Sequence, residues 1–293
     1  MKSTSSRYAD FAGRKNRALG HVPDNGQWVT KYKRNADTEA PAGGVSSSVN
    51  DLAKWLRLQL AGGKFDGKQI VAESALAETR LPHMLTGING AGLPGFYGLT
   101  WNVDYHAQGA LRLSHSGAFA LGAGTAVYLV PGQSLGIIVL TNAWPTGVAE
   151  ALCTSFLDLV LEGKLTRDWL ALYKAAFAQM MASMRSGTDY TQPPATPEPQ
   201  LANAAYTGTY INDFFGDIVI AADGNGLAIA QGPKPLTFAM THFDRDTFFY
   251  KTEGESAIGL AGITFTIEPD GKAGRVAVEN LNGDGSGVFV RKN

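Results

Sequence analysis

A proline-rich segment at residues 186–200 divides this chain into two stretches with different patterns of apolar residues. Prolines stand there among small polar residues, a composition that favours an extended, semi-rigid linker over a packed element. Before this segment, apolar residues recur at both helical and strand spacing, and after it only short alternating runs occur. The sequence therefore predicts two domains, at residues 1–185 and 201–293, with residues 186–200 as the linker.

The first stretch alternates between helical and extended patterns, which is typical of an α+β domain. Ser48 predicts the start of a helix, because its side chain can cap free amides and Asp51 lies in the first turn. Residues 1–40 have no lasting period and are interpreted as a long surface excursion. Further helices are predicted at about residues 73–83, from Pro145 and from Thr166, and strands near residues 98–104, 111–115, 125–130 and 135–141.

The run at residues 135–141 is apolar at successive positions. Such a run is typical of a strand that is covered on both faces. We therefore expect it at the centre of an antiparallel sheet with flanking helices.

The second stretch has the pattern of an all-β domain. From Ala205 onward, short alternating runs are separated by turn sequences such as Asp223-Gly-Asn-Gly226 and Asn282-Gly-Asp-Gly285. About eight strands at this spacing predict a closed up-and-down barrel.

Composition excludes several classes of function. With 25 Lys and Arg against 26 Asp and Glu, the chain lacks the positive field of a nucleic-acid-binding protein. No apolar run reaches the ~18 residues of a membrane span, and residues 1–16 lack the apolar core of a signal peptide. The histidines lack the spacing of metal ligands, and the loop at residues 62–68 departs from a phosphate-binding loop at Gln69, so we expect no metal and no cofactor.

Several motifs between residues 41 and 160 occur in the order and spacing of one family. Together they resemble the C-terminal part of serine β-lactamase-like and penicillin-binding-protein-like hydrolases of the class C type. The motifs are Pro41-Ala-Gly-Gly-Val-Ser-Ser-Ser48, Tyr97-Gly-Leu-Thr-Trp101, His115-Ser-Gly117 and Ala123-Gly-Thr-Ala-Val-Tyr-Leu-Val-Pro-Gly132. The resemblance implies a partial β-lactamase/transpeptidase-like domain. The stretch that begins at Tyr206-Thr-Gly-Thr-Tyr210 resembles the lipocalin-like barrel appended to some peptidases of this family.

The resemblance also implies a candidate site. His115-Ser116-Gly117 resembles the H-x-G variant of the family's K-T-G motif, which lines one wall of the catalytic cleft. In that variant Gly117 keeps the wall low enough for the substrate, and the amide of Ala118 is one of two donors to the oxyanion. His115 replaces a permanent cation by an imidazole, which can donate or accept a proton. Binding of a substrate carboxylate at this position is therefore expected to weaken, which favours esters and amides.

Two other family motifs are missing from residues 1–185. The sequence contains no S-x-x-K, which would supply the nucleophilic serine, and within residues 1–185 the nearest match to Y-x-N is Ser48-Val-Asn50 at a predicted helix start. We expect that the first half of the catalytic domain is absent, that the run at residues 135–141 becomes a bare sheet edge, and that the chain alone is inactive. Homo-oligomerisation or pairing with the missing segment should cover that edge.

The sequence thus predicts a β-lactamase-related serine hydrolase that acts on a small ester or amide, including peptides, through His115, Ser116, Gly117 and Ala118. Since the nucleophile motif is missing, a non-catalytic binding or assembly module, acting through the barrel and the sheet edge, remains the alternative. Family resemblance implies a periplasmic or secreted protein, although no signal peptide precedes the motifs.

Overall fold

The computed structural model of the chain describes residues 1–88, 92–106, 109–255 and 257–292. Contacts divide the chain into two compact units, Met1–Ala178 and Gln179–Asn293. None of the helices in these ranges is long and apolar enough to cross a membrane.

The first unit is built around an antiparallel sheet of six strands within the described ranges, in the order β10-β9-β8-β7-β6-β5. Short elements precede the sheet and pair only locally. In chain order the elements are α1 (Tyr8–Ala12), β1 (Val22–Asp24), β2 (Gln27–Val29), α2 (Ala40–Gly43), α3 (Val49–Leu60), β3 (Lys64–Phe65), β4 (Lys68–Gln69), α4 (Glu73–Thr79), β5 (Met84–Ile88), β6 (Pro94–Tyr97), β7 (Asn102–Tyr105), β8 (Leu111–Phe119), β9 (Ala123–Val130), β10 (Leu135–Thr141), α5 (Val148–Leu161) and α6 (Trp169–Ser183).

Helix α3 covers one face of the sheet. As the sequence predicts, it follows Ser48, whose hydroxyl accepts a hydrogen bond from the Asp51 amide at 3.3 Å. Leu56 on this helix packs with Leu113 of β8 and Leu129 of β9, both fully buried. Since side chains alternate between the faces of a strand, the odd-numbered residues of β8 face α3.

Helix α5 covers the opposite face. Ala149, Cys153 and Leu157 on this helix pack with Ala126 and Tyr128 of β9. The helix follows Gly147, which has the positive φ of 77° that favours glycine. The two helices therefore enclose the strand segments between them.

Strand β10 lies at an edge of the sheet. It pairs with β9 along its whole length, from Leu135 opposite Val130 to Thr141 opposite Gly124, and no strand lies on its other side among the residues the structure describes. The prediction of a central place is therefore wrong for this chain, and the prediction of a bare edge is confirmed. All seven residues of β10 are half-buried.

The segment interpreted as an irregular surface excursion contains short elements. A β1–β2 hairpin and two short helices lie there. His21 joins the end of β10 through its amide and the Asn142 carbonyl at 2.9 Å. The sequence of this segment shows no apolar period because main-chain hydrogen bonds, and not an apolar face, hold it in place.

The strand predicted near residues 98–104 begins only at Asn102 in the structure. Residues 98–101 form the turn between β6 and β7, where the Gly98 amide donates to the Trp101 carbonyl at 2.8 Å. Thr100 has a φ of +82° there, which a β-branched residue rarely adopts. Propensity favoured an extended threonine, and the tertiary structure overrides it.

The second unit contains a closed barrel, as the sequence predicts. Within the described part of the chain it has eight antiparallel strands with an interior filled by aromatic and aliphatic side chains, among them Tyr206, Phe248, Ile263 and Phe289. The strands are β11 (Gly208–Ile211), β12 (Ile218–Asp223), β13 (Gly226–Gln231), β14 (Leu236–Asp244), β15 (Thr247–Lys251), β16 (Leu260–Ile267), β17 (Ala273–Val278) and β18 (Val288–Arg291).

Arg291 ties one end of the barrel together. Its guanidinium lies 4.9 Å from the ring centre of Tyr210. It donates to the Tyr210 hydroxyl at 2.8 Å and to the carbonyls of Ala205 at 2.8 Å, Thr207 at 2.6 Å and Ala273. One side chain thus joins β17, β18 and the segment that leads into β11.

The proline-rich segment contacts the barrel through Ser186, Tyr190 and Glu198. Tyr190 is 7% exposed and stacks on Phe249 with 5.4 Å between ring centres, and its hydroxyl donates to the Glu279 carboxylate at 3.2 Å. The Gly262 amide donates to the same carboxylate at 2.6 Å. Part of residues 186–200 is therefore packed, although the placement of the domain boundary in this segment stays a prediction.

Replacing Arg291 should destabilise the barrel. In Arg291→Met three carbonyls and a hydroxyl lose a charged donor, so we expect a loss of about 3 kcal/mol in the opening free energy of the barrel. Hydrogen exchange of peptides from β11, β17 and β18 in the full chain measures it. Lys292→Met is the matched control, because Lys292 is 59% exposed and lies 3.5 Å from Asp217. The control should change the free energy by less than about 1 kcal/mol.

The bare edge should make the chain self-associate. Leu140 on β10 is half-buried, and a lysine at a sheet edge opposes pairing with another strand. Leu140→Lys should shift the chain from higher species to the monomer, as measured by light scattering coupled to size exclusion. Leu236→Lys, at a 63% exposed position of the closed barrel, should leave the distribution unchanged. A monomeric unmodified chain at all concentrations would contradict the expectation.

Candidate active site

The last residues of β8 extend beyond the neighbouring strand β7. The pairing of the two strands ends with Asn102 opposite Ser114, whereas β8 continues along β9 to Phe119. On the side of β8 that faces away from β9, residues 115–119 therefore have no strand beside them in the ranges the structure covers. We call this stretch the open side of β8.

The Ala118 amide points to the open side. The Gly122 amide donates to the Phe119 carbonyl at 3.0 Å and the Thr125 hydroxyl donates to the Gly117 carbonyl at 3.3 Å, so both carbonyls face β9. Main-chain groups of successive residues in an antiparallel strand alternate between its two sides. The Ala118 N–H consequently faces away from β9, where an oxyanion could accept its hydrogen bond.

His115 is exposed on the α3 face, and the Thr100 carbonyl fixes its ring. The Nδ1 atom lies 2.7 Å from that oxygen. Because a carbonyl oxygen only accepts, Nδ1 carries the hydrogen of this bond. In the neutral ring Nε2 is then the basic nitrogen. The Thr100 carbonyl thus sets the tautomer of His115.

Ser116 has a different environment from His115. Its hydroxyl donates to the carboxylate of Glu150, which is 6% exposed and lies in the first turn of α5. Successive residues of β8 point to opposite faces, so Ser116 faces α5 while His115 and Gly117 face α3. The hydrogen bond joins the end of β8 to the start of α5.

The structure therefore brings His115, Gly117 and the Ala118 amide together around the end of β8, and it directs the Ser116 hydroxyl elsewhere. No hydrogen bond joins His115 to a lysine or a tyrosine among the described residues. The catalytic roles of these four residues stay predictions.

Sequence reasoning missed two residues of this site. Thr100 acts through a backbone carbonyl, which no side-chain pattern reveals. Glu150 could have been noticed only as one of two acids, with Asp158, in a largely apolar helix.

No group of three or more His, Cys, Asp or Glu residues in the described ranges is placed to hold a metal ion. Cys153 is fully buried on α5. Burial, with the Glu150 carboxylate nearby, raises the pKa of the Cys153 thiol to about 12. The thiol is therefore neutral at physiological pH and is no candidate nucleophile.

Cys153 should resist thiol reagents in the folded chain. Its raised pKa keeps the thiol protonated near pH 8, where an ordinary thiol with a pKa of about 8.5 is partly ionised. A disulfide-exchange reagent such as Ellman's reagent should not react until urea unfolds the first unit. Because Cys153 is the single cysteine, the colour yield reports it alone. Rapid reaction of the folded chain would contradict its buried environment.

Comparison with known proteins places these features in a family. The unguisins hydrolase ungD of Aspergillus violaceofuscus is 26% identical over 264 residues, which cover 78% of this chain and 45% of that protein. The chain thus spans less than half the length of this curated relative.

Among solved structures, the octameric penicillin-binding protein homologue from Pyrococcus abyssi is 18% identical, with 95% of this chain and 55% of that chain covered at a TM-score of 0.47. The class C β-lactamase from Rhodobacter sphaeroides is 17% identical, with 61% and 50% covered at a TM-score of 0.39.

Two family models match separate parts of the sequence. A domain of unknown function, DUF3471, matches residues 192–286, which include the barrel strands. The Beta-lactamase model matches residues 1–162, which include the whole six-stranded sheet and α3. This match extends over more than half of the 293 residues, and the chain belongs to the Beta-lactamase family.

Proposed function

We propose that this chain forms one wall of an acyl-transfer site that hydrolyses an ester or an amide through an acyl-serine. His115, Gly117 and the Ala118 amide belong to this wall, and the serine nucleophile comes from residues outside these 293. The observation that carries the proposal is the Ala118 amide on the open side of β8, beside a histidine with a fixed tautomer. The relative from Aspergillus is named a hydrolase.

The Ala118 amide supplies electrostatic stabilisation. A main-chain N–H held by a paired strand is already oriented when negative charge develops on the substrate oxygen, so it needs no reorganisation. One such donor typically contributes about 2.7–4 kcal/mol to transition-state stabilisation. Gly117 has no side chain, so no side chain of β8 separates His115 from the position of that oxygen on the α3 face.

His115 supplies a proton carrier. With Nδ1 donating to the Thr100 carbonyl, Nε2 can accept a proton from the attacking group and return it to the leaving group. A neutral ring also attracts a substrate carboxylate less than a lysine would, which favours substrates without a charge at this position. Ser116, held by Glu150, fixes the strand that carries these groups and does not contact substrate in this proposal.

Two observations support a nucleophile from outside the chain. The sequence contains no S-x-x-K. Strand β10 has a sheet edge on its second side, because β9 is the only strand paired with it in the described ranges. A segment that brings the serine and covers β10 would satisfy both. Such a segment would also increase the aligned share of the Aspergillus relative, which stands at 45%.

This chain alone should not react with a fluorophosphonate probe, because no serine in it has an activating base in the proposed site. Intact-mass spectrometry after incubation measures the adduct. A covalent adduct would contradict the proposal, and its position would identify another nucleophile. The upstream coding DNA should encode an S-x-x-K segment, in frame or as a separate chain. If no such segment exists, a non-catalytic module becomes the better explanation.

Co-expression with that segment gives a sharper test of the wall. Ala118→Pro removes the amide hydrogen at a position where no strand partner needs it, so the fold should tolerate the change. Hydrolysis of an ester substrate should fall by about 10²–10³ in kcat. Ala118→Gly keeps the amide and is the matched control. Equal rates for the two variants would remove the oxyanion role from Ala118.

A further inference from the structure

A cavity of about 380 Å³ lies at the end of β8, beside the proposed site. Phe119, which follows Ala118, lines it. Since residues two apart on a strand share a face, Phe119 lies on the same face as Gly117 and His115. The volume is in the range of pockets that bind small molecules. The cavity therefore begins one residue beyond the proposed oxyanion donor, on the same face of the sheet as His115.

The charged groups in the cavity lining are mostly cationic. Arg7, Arg17, Lys33 and Arg34 line it against one carboxylate, Asp37. The whole chain, by contrast, has a net charge of −1. The Asp37 carboxylate is occupied, because it accepts the Tyr8 amide at 2.6 Å. The cavity is therefore a local positive region on a nearly neutral protein.

Not all of this charge is equally available. Arg7 lies 3.0 Å from Asp10, and Arg34 pairs with Glu39, and neither acid lines the cavity. The guanidinium of Arg17 donates to the Arg14 carbonyl at 2.6 Å, which leaves its charge uncompensated by that bond. The excess positive charge of the cavity is thus small. It suits a single negative group better than a chain of phosphates.

Arg34 is the best-positioned cation. Its guanidinium carbon lies 3.3 Å from the ring centre of Phe119, its Nη1 donates to the Gly43 carbonyl at 3.3 Å, and its side chain is 19% exposed. A guanidinium fixed against an aromatic ring loses little conformational freedom when it binds a carboxylate, here beside the Glu39 carboxylate with which it already pairs. A side chain on Gly43 would collide with the Phe119 ring, with 2.7 Å from the added carbon to its tip, so the packing at this point is tight.

The rest of the lining is largely apolar. Phe11, Val45 and Leu121 face the same space as Phe119. A ligand that fills the cavity would bury apolar surface against these residues while its charged group meets the arginines. The lining thus combines an apolar wall with one well-held cation.

We infer that this cavity binds a carboxylate-bearing apolar group that is attached to the scissile carbonyl of the substrate. The inference rests on the proposed function, and it adds the substrate class: an ester or amide whose neighbouring group is aromatic or branched aliphatic and acidic. The negative charge of the substrate meets Arg34 in the cavity and not His115 on the wall. The weak affinity of His115 for a carboxylate is then no obstacle to an acidic substrate.

Binding can be tested on this chain without catalysis. 4-Phenylbutyrate carries the proposed group, and 4-phenyl-1-butanol is its neutral counterpart of similar size. Calorimetric titration should give a Kd for the acid at least tenfold lower than for the alcohol, and hydrogen exchange should show protection at residues 7–20 and 119–123. Arg34→Gln should raise the Kd of the acid about tenfold without changing that of the alcohol.

Arg57→Gln is the matched control, because Arg57 also lies over an aromatic ring, 5.4 Å from the centre of Phe65, but outside the cavity. It should leave both Kd values unchanged. If Arg34→Gln unfolds the first unit, as circular dichroism would show, Arg17→Gln on the exposed rim should raise the Kd of the acid in the same direction. Equal affinity for acid and alcohol, no binding of the acid, or the same loss in Arg57→Gln would overturn the inference.

The result also separates the cavity from the proposed chemistry. If Ala118→Pro abolishes hydrolysis in the completed protein but phenylbutyrate does not bind, the acyl-transfer proposal stands and the substrate class is wrong. If phenylbutyrate binds but the completed protein hydrolyses no ester or amide, the cavity is an anion site without acyl transfer. The second outcome overturns the assignment of the cavity to a substrate.

Discussion

The alternation of side chains along β8 is the constraint on which the first unit depends. One face of the strand meets α3 through Leu113, and the other meets α5 through the Ser116 contact with Glu150. Leu113 is fully buried whereas His115, two residues on, is exposed, so the same strand is core at one end and exposed at the other. A shift of register by one residue would exchange the faces and place His115 toward α5. The core therefore determines which groups reach the site.

The site depends on main-chain groups as much as on side chains. Thr100 supports His115 through a carbonyl, and Ala118 contributes an amide. Ala118 lies in β8, which pairs with β9, and Thr100 lies in the turn between the paired strands β6 and β7. Strand pairing therefore makes the positions of both groups insensitive to side-chain motion. The strain at Thr100 is tolerated because Trp101, the next residue, is 4% exposed and stacked on Trp55, with 5.9 Å between ring centres. Packing on one side of the turn thus stabilises a conformation that threonine by itself avoids.

The two units differ in whether their sheets have unpaired edges. The barrel closes on itself, and Arg291 joins the strands at one end, so every strand has two neighbours among the described residues. The six-stranded sheet ends at β10, whose composition is that of an interior strand. An edge strand of this kind tends to pair with another strand, because its unpaired main-chain groups and apolar side chains together favour association. The proposed nucleophile-bearing segment and self-association are two ways to meet the same requirement.

Periodicity and turn chemistry determined much of this protein from sequence alone. The Ser48 cap and the strand rhythm of the barrel each depend on neighbours close in the chain, and the structure confirms both. The run at residues 135–141 forms a strand, but at the edge of the sheet and not at its predicted centre. Sequence also located the H-S-G motif through its resemblance to a family. It did not reveal the left-handed Thr100, the Glu150 partner of Ser116, or the cavity beside Phe119. Those features join residues 15, 34 or about a hundred positions apart, and only the packing of the sheet between its helices brings them together.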